Sequence, residues 1–230
     1  MVNARFCALA RRRPPPFRDL RNMPTFRQIL ASHAPVVLID AASARVQVAL
    51  LAGDGTGSWA DATTDAGTGV FRCLEQLGVQ PDFAGAFVYC DGPGSILGVR
   101  TVATALRTWT LLRPRPVFAY HSLAVVSAAL GRTGTRVIAD ARRDTWHCWA
   151  EGGPLQRIPT AELAGPLVMP EGFRHWSPLP SGVEVVPYLL ATLIPKVLDA
   201  DLLRPTAEPD AFLHEEPSYV TWTPQIHRAP

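Results

Sequence analysis

Two apolar rhythms alternate along this chain from Pro35 onward. Val36-Val37-Leu38-Ile39 is a continuous apolar run ending at Asp40, which predicts a buried strand. Arg45–Leu51 alternates in part and predicts its hairpin neighbour, Gly53–Gly57 a turn, and Trp59–Thr63 a third strand. Val70, Phe71, Leu74 and Leu77 fall at helical spacing and Gly78 follows, so Val70–Leu77 predicts a short amphipathic helix. Phe83–Cys90 predicts another strand. A Gly92-Pro93-Gly94 turn comes next, then a helix from about Ser95 to Leu112, ended by Pro114 and Pro116.

The second half repeats part of this order. Pro116–Tyr120 predicts a strand and Ser122–Leu130 a helix, with Ser122 as candidate cap. Thr135–Asp140 predicts a strand ending in an acid, as the first one does. Asp144–Ala150 pairs with it across Ala141-Arg142-Arg143, placing Trp146 and Trp149 on opposite faces. The signal weakens after Gly152. Val183–Leu203 predicts a last helical region, interrupted near Pro187 and Pro195, and the tail from Pro205 is irregular. Two units that each open on strand, Asp and hairpin predict an α/β protein of two related lobes, with mixed sheets and packed helices. The expected division is an extension over 1–34, a first lobe over 35–113 and a reduced second lobe over 114–230.

Composition narrows the function. Of the residues, 47% are hydrophobic and 18% charged, the range of a folded globular chain. The net charge of +2 hides an asymmetry: residues 1–30 hold seven arginines against Asp19, and the rest is acidic by four charges. The body is therefore expected not to bind nucleic acid strongly alone. Arg11-Arg12-Arg13-Pro14-Pro15-Pro16 cannot build a core, so 1–34 reads as a disordered or misassigned extension, with Met23 as an alternative start. The best bilayer candidate, Val185–Ile194, is short and holds Pro187, and the first residues lack the apolar core of a signal peptide. A cytoplasmic location is expected. Cys7, Cys73, Cys90 and Cys148 show no CxxC spacing, and the six histidines show no i,i+4 pair, so neither a zinc site nor another cofactor is expected.

The densest candidate chemistry is Gly92-Pro93-Gly94-Ser95-Ile96-Leu97-Gly98-Val99-Arg100. Gly92 and Gly94 permit unusual backbone angles, Ser95 can cap the helix, and Gly98 costs about 1 kcal/mol in its first turn unless a close neighbour needs the missing side chain. Arg100 can reach a phosphate or carboxylate. The spacing is neither a P-loop nor a nucleophile elbow. Asp40 and Asp140 end apolar strands, where an aspartate can serve as base or metal partner but more commonly caps a turn. Asp40, Ser43, Gly92, Arg100 and Asp140 are the candidate phosphate or turn contacts. No catalytic residue is assigned.

Three stretches resemble the TsaB (YeaZ-like) family, the partner subunit of the bacterial machinery that makes threonylcarbamoyladenosine at A37 of tRNA. They are Val37-Leu38-Ile39-Asp40-Ala41-Ala42, the Gly92–Arg100 motif, and Asp140-Ala141-Arg142-Arg143-Asp144-Thr145-Trp146. Ala41 and Ala42 stand where the family carries hydroxyl residues, Ile96-Leu97 replaces Phe-Thr, and Thr64–Gly69 replaces a His-Ser-Glu segment. The resemblance implies an actin-like (ASKHA, ribonuclease H-like) two-lobe fold. It also implies a non-catalytic scaffold role beside a TsaD-like catalytic subunit and a TsaE-like ATPase, with a homodimer as another use of the same face. The expected partner interface is Val70, Phe71, Leu74, Gly94, Ser95, Gly98, Val99, Val102 and Leu106. The alternatives are an ASKHA-type nucleotide-dependent kinase or ligase using Asp40 or Asp140, and a self-associating module.

Overall fold

Thr25 opens the first helix of the computed structural model, which describes residues 23–212. Its hydroxyl accepts from Gln28 N, and the Gln28 side chain accepts from Thr25 N, a reciprocal capping box. Helix α1 (Phe26–His33) buries Phe26, Ile29 and Leu30, and Phe26 lies 6.2 Å from the Tyr120 ring. This corrects the expected extension over 1–34: its last third is part of the core. The Arg11–Pro16 run lies outside the described residues.

Strand β1 (Val36–Asp40) is buried at every position and forms the centre of the first sheet. It pairs antiparallel with β2 (Val46–Leu51), which pairs antiparallel with β3 (Gly57–Ala62). Helix α2 (Ala66–Gln76) begins earlier than its apolar spacing predicts, because Asp65 accepts from Thr68 N and caps it. Strand β4 (Ala86–Gly92) runs parallel to β1. Ser95 caps α3 (Ile96–Leu112), and β5 (Val117–His121) runs parallel to β4. The expected Ser122 cap is corrected. His121 holds the cap position of α4 (Ser122–Leu130), while the Ser122 hydroxyl donates to the Pro93 carbonyl at 2.6 Å.

The second sheet repeats the first. Strand β6 (Arg136–Asp140) pairs antiparallel with β7 (Thr145–Ala150), and β7 with β8 (Gln156–Pro159). Strands β9 (Leu167–Pro170) and β10 (Val183–Val186) follow in parallel, giving β8-β7-β6-β9-β10 against β3-β2-β1-β4-β5. Both sheets have the ribonuclease H-like order with a reversed second strand, and their duplication is the actin-like architecture. The crossover helices differ. Where α2 and α3 cover the first sheet, the second has a 3-10 turn (Thr160–Glu162) and a loop without helix. This leaves it a small outer cluster of Ile138, Trp146, Cys148, Leu167 and Met169.

Helix α4 is apolar almost all round and packs against strands of both sheets, so one continuous core joins the lobes. β5 belongs to the first sheet, as does β11 (Arg204–Pro205), so the sheets part at α4 rather than at the expected 113/114 boundary. The predicted helical region 183–203 resolves into β10, the single turn α5 (Leu190–Leu193) and a 3-10 turn (Ile194–Lys196), with Pro187 between β10 and α5 and Pro195 inside the 3-10 turn. Among the described residues, no helix is long and apolar enough to cross a membrane.

Candidate functional site

The Gly92–Arg100 motif spans the end of β4 and the start of α3, and two of its glycines, Gly94 and Gly98, lie against the backbone after β1. A Cβ on Gly98 would sit far inside contact distance of the Ala41 carbonyl oxygen, and one on Gly94 would meet that of Ala42. Ser95 N donates to the same Ala42 carbonyl at 2.7 Å, pinning the helix start onto the β1–β2 turn. The missing side chains admit this chain's own backbone. Val70, Leu74, Val102 and Leu106 are likewise buried in the first sheet's own core, and Val99 in the core that joins the lobes. The expected interface is corrected accordingly: six of its nine residues, Val70, Leu74, Gly98, Val99, Val102 and Leu106, are buried within this chain, while Gly94 stays exposed with its backbone against the β1–β2 turn. Ser95 is exposed, but its hydroxyl is spent on Gly98 N.

Only Phe71 of that set has its side chain free to meet another molecule. It is 59% exposed on the outward side of α2 and meets Trp109 of α3 edge-on, with ring centroids 6.2 Å apart. Along α3 the outward line runs through Leu97, 78% exposed, then Thr101, Thr104 and Thr108. Each of these threonine hydroxyls donates to the carbonyl four residues earlier, at 2.8 to 3.0 Å. With these hydroxyls already bonded to the helix backbone, the line offers fewer free polar groups than its composition suggests. Arg100 is exposed beside it.

Asp40 has no solvent exposure. Tyr120 and Tyr188 hydroxyls each donate to its Oδ2 at 2.7 Å, and Ala42 N donates to Oδ1 at 2.8 Å. Burial raises its carboxyl above the ordinary range, with these hydrogen bonds opposing. Tyr188 comes from the second half, and Gln47 of β2 holds it there. The Gln47 amide donates to Tyr188 O at 3.1 Å and accepts from Leu190 N at 2.8 Å. Asp40 is thus a knot between lobes. A groove of about 590 Å³ opens nearby, lined by Ser43, Arg45, Asp65, Glu171, Arg174 and Tyr188 among others, and Asp40 does not line it. Ser43 itself closes the β1–β2 turn by hydrogen bonds with Arg45.

Asp140 plays the turn-capping part at the matching position of the second sheet. It accepts from the backbone N–H groups of Arg142, Trp176 and Ser177, and although burial opposes it, these donors hold the carboxyl below its usual range.

Sequence reasoning missed a third aspartate. Asp91, next to Gly92 at the end of β4, is buried, with Oδ1 3.0 Å from His121 Nδ1 and Oδ2 accepting from Arg204 at 2.6 Å. Burial alone would raise this carboxyl, but His121 and Arg204 outweigh it and hold it low. The C-terminal segment is tied to the same spot: Phe212 N donates to Asp91 O at 2.6 Å, and Asp210 N and O both bond the Tyr89 hydroxyl at 3.0 Å. The one local signal was an acid at a strand end. Its partners lie 30 and 113 residues away.

A depressed carboxyl stabilises the fold above the ordinary carboxylate range, and that contribution disappears as pH falls through its native pKa. Arg204→Ala is therefore expected to cost about 1–2 kcal/mol at neutral pH, because it strips the buried Asp91 of one of its two partners, a partner that is itself partly exposed. The variant should also lose less stability than wild type on acidification. Urea denaturation followed by circular dichroism between neutral pH and about pH 3, below the usual aspartate value, checks both.

No protein-family model matches the sequence, and no curated protein matches it. Among solved structures the chain is similar to YeaZ from Pseudomonas aeruginosa, at 22% identity over 59% of this chain and 75% of that one, with a TM-score of 0.48. It is also similar to an uncharacterized Pseudomonas aeruginosa protein with similarity to peptidase YEAZ, at 21% identity over 68% of this chain and 88% of that one, with a TM-score of 0.49.

Proposed function

We propose that this chain is a non-catalytic subunit of the TsaB kind. It supports a TsaD-like catalytic subunit in threonylcarbamoyladenosine modification of tRNA, with a TsaE-like ATPase as a further partner in the cytoplasm. The observation that carries the reading is the outward face of α2 and α3, where Phe71 and Leu97 are exposed and the threonine hydroxyls are already bonded to the helix backbone. Exposed apolar side chains of this kind, beside hydroxyls already bonded, suit a partner helix. Two sequence motifs of the resemblance, at Asp40 and Asp140, support it in a different way. Their carboxylates serve the protein's own hydroxyl and amide donors instead of facing the groove.

The partner face is thus the outer side of α2 and α3 rather than the glycine-bearing side. Co-expression with the TsaD-like protein of the same source, followed by affinity capture, tests this. Phe71→Glu combined with Leu97→Glu should lower affinity at least 100-fold, a hot-spot-sized loss. Stability should change by no more than about 0.5 kcal/mol, because both side chains are on the surface. Undiminished capture by the variant, or no capture by wild type, would refute the assignment. A magnesium–ATP-induced rise in melting temperature of the isolated chain would favour the nucleotide-dependent enzyme instead.

A further inference from the structure

The β6–β7 turn contains the three non-glycine residues with left-handed backbone among those described: Arg142, Arg143 and Asp144, with φ of 65°, 52° and 56°. Each such residue is disfavoured for an L-amino acid, and three in succession persist only where the surroundings impose them. Here they do. Asp140 gathers the amides of Arg142, Trp176 and Ser177. Arg157 donates to Ala141 O at 3.1 Å and to Thr145 Oγ1 at 2.8 Å, and the Thr160 hydroxyl donates to Asp144 at 2.6 Å. A glycine at any of the three positions would make the same turn without strain.

The strain has a product. It sets the Arg142 guanidinium 4.5 Å from the centre of the Trp176 ring, and Trp176 remains 63% exposed. Arg143 is exposed in the same turn, and Arg174 and His175 are exposed immediately before the tryptophan. Both acids of the turn are occupied by donors, so the cations are left facing outward.

We propose that this turn is a binding platform for single-stranded nucleic acid. A base stacks on the open part of the Trp176 ring, extending the arginine–indole stack, and flanking phosphates pair with Arg142 and Arg143. An acidic peptide would need only the arginines. The exposed indole beneath a guanidinium adds an apolar plane that a nucleobase fills. The acidic body supplies no long-range attraction, so binding is local and modest, which accommodates the expectation of no strong direct nucleic-acid binding. The platform lies on the second sheet and is independent of the partner reading, since the chain alone should bind.

The test is fluorescence anisotropy of the full-length chain with labelled single-stranded RNA and DNA of about ten nucleotides at low salt. Wild type should bind at least one of them. Trp176→Leu, and separately Arg142→Gln with Arg143→Gln, should weaken that binding about tenfold. Replacing Arg143 with glycine separates the platform from the fold: its melting temperature should rise as strain is relieved, while affinity falls. The arginine-rich N-terminal residues are common to every variant and cancel in the comparison. Equal affinities across wild type and variants, or no binding of either oligomer, would overturn the proposal.

Discussion

Gly98→Leu is expected to abolish the folded state under conditions where wild type is stable. The helix start has no room to move. Ser95 N is bonded to the Ala42 carbonyl, and the Ala41 carbonyl lies where a Gly98 Cβ would be. The obstructing atoms are backbone at the end of a central strand, and Asp40 holds that turn through Ala42 N. Flexible side chains can give way to an added group, but this backbone cannot without separating α3 from β1. Overpacking a core costs about 1–3 kcal/mol when neighbours relax. A clash of a whole side chain with fixed backbone belongs to the exceptional class above about 4 kcal/mol. The control is Thr104→Leu on the outward side of the same helix, which should change stability by no more than about 0.5 kcal/mol. Urea denaturation by circular dichroism distinguishes them. A Gly98→Leu protein as stable as the control would show that the helix start is free.

Asp40→Ala is expected to cost roughly 3 kcal/mol or more at neutral pH, because it leaves the buried Tyr120 and Tyr188 hydroxyls and the Ala42 amide without an acceptor. The loss should also loosen the second half, since Tyr188 is one of its anchors. Asp40→Asn keeps an oxygen for the tyrosines and should cost less. The pH dependence has a definite sign. Burial raises the Asp40 carboxyl in the native state, so between the ordinary carboxylate value and the raised one the folded protein holds more protons than the unfolded chain. Wild-type stability contributed by this group therefore falls as pH rises through that window. Asp40→Asn removes the slope, so the stability difference between wild type and variant should shift towards the variant on raising pH. A difference independent of pH would show that Asp40 does not titrate in a buried setting.

Much of the fold was legible because it is written in local periodicity. The unbroken apolar runs of β1 and β4 and the length of α3 identify their elements with no knowledge of neighbours. The repeat of strand, acid and hairpin at Asp40 and Asp140 foretold two related sheets. What escaped was short or indirect. Strands β8, β9 and β10 have four residues each, too few to establish a period, and β10 lay inside an apolar stretch that also suits a helix. Helix α1 has eight residues behind an arginine-rich leader that disguised it.

The site divides along the same line. Gly94 and Gly98 marked a place where backbone comes close, and that much was readable from their position beside Ser95. Which backbone comes close was not, because a missing side chain announces only a near neighbour and carries no record of whether it belongs to the same chain. Phe71 sat at the right helical spacing for burial, yet the packing of α2 on α3 turned it outward to Trp109. The Asp40 knot depends on a tyrosine 148 residues distant, and the Asp91 cluster on Arg204, 113 residues away. Local sequence governs which segments form strands and helices, because backbone preference and apolar spacing act over a few residues. Which side chains meet, and whether a carboxylate faces solvent or a tyrosine, is settled by how those segments pack across the whole chain.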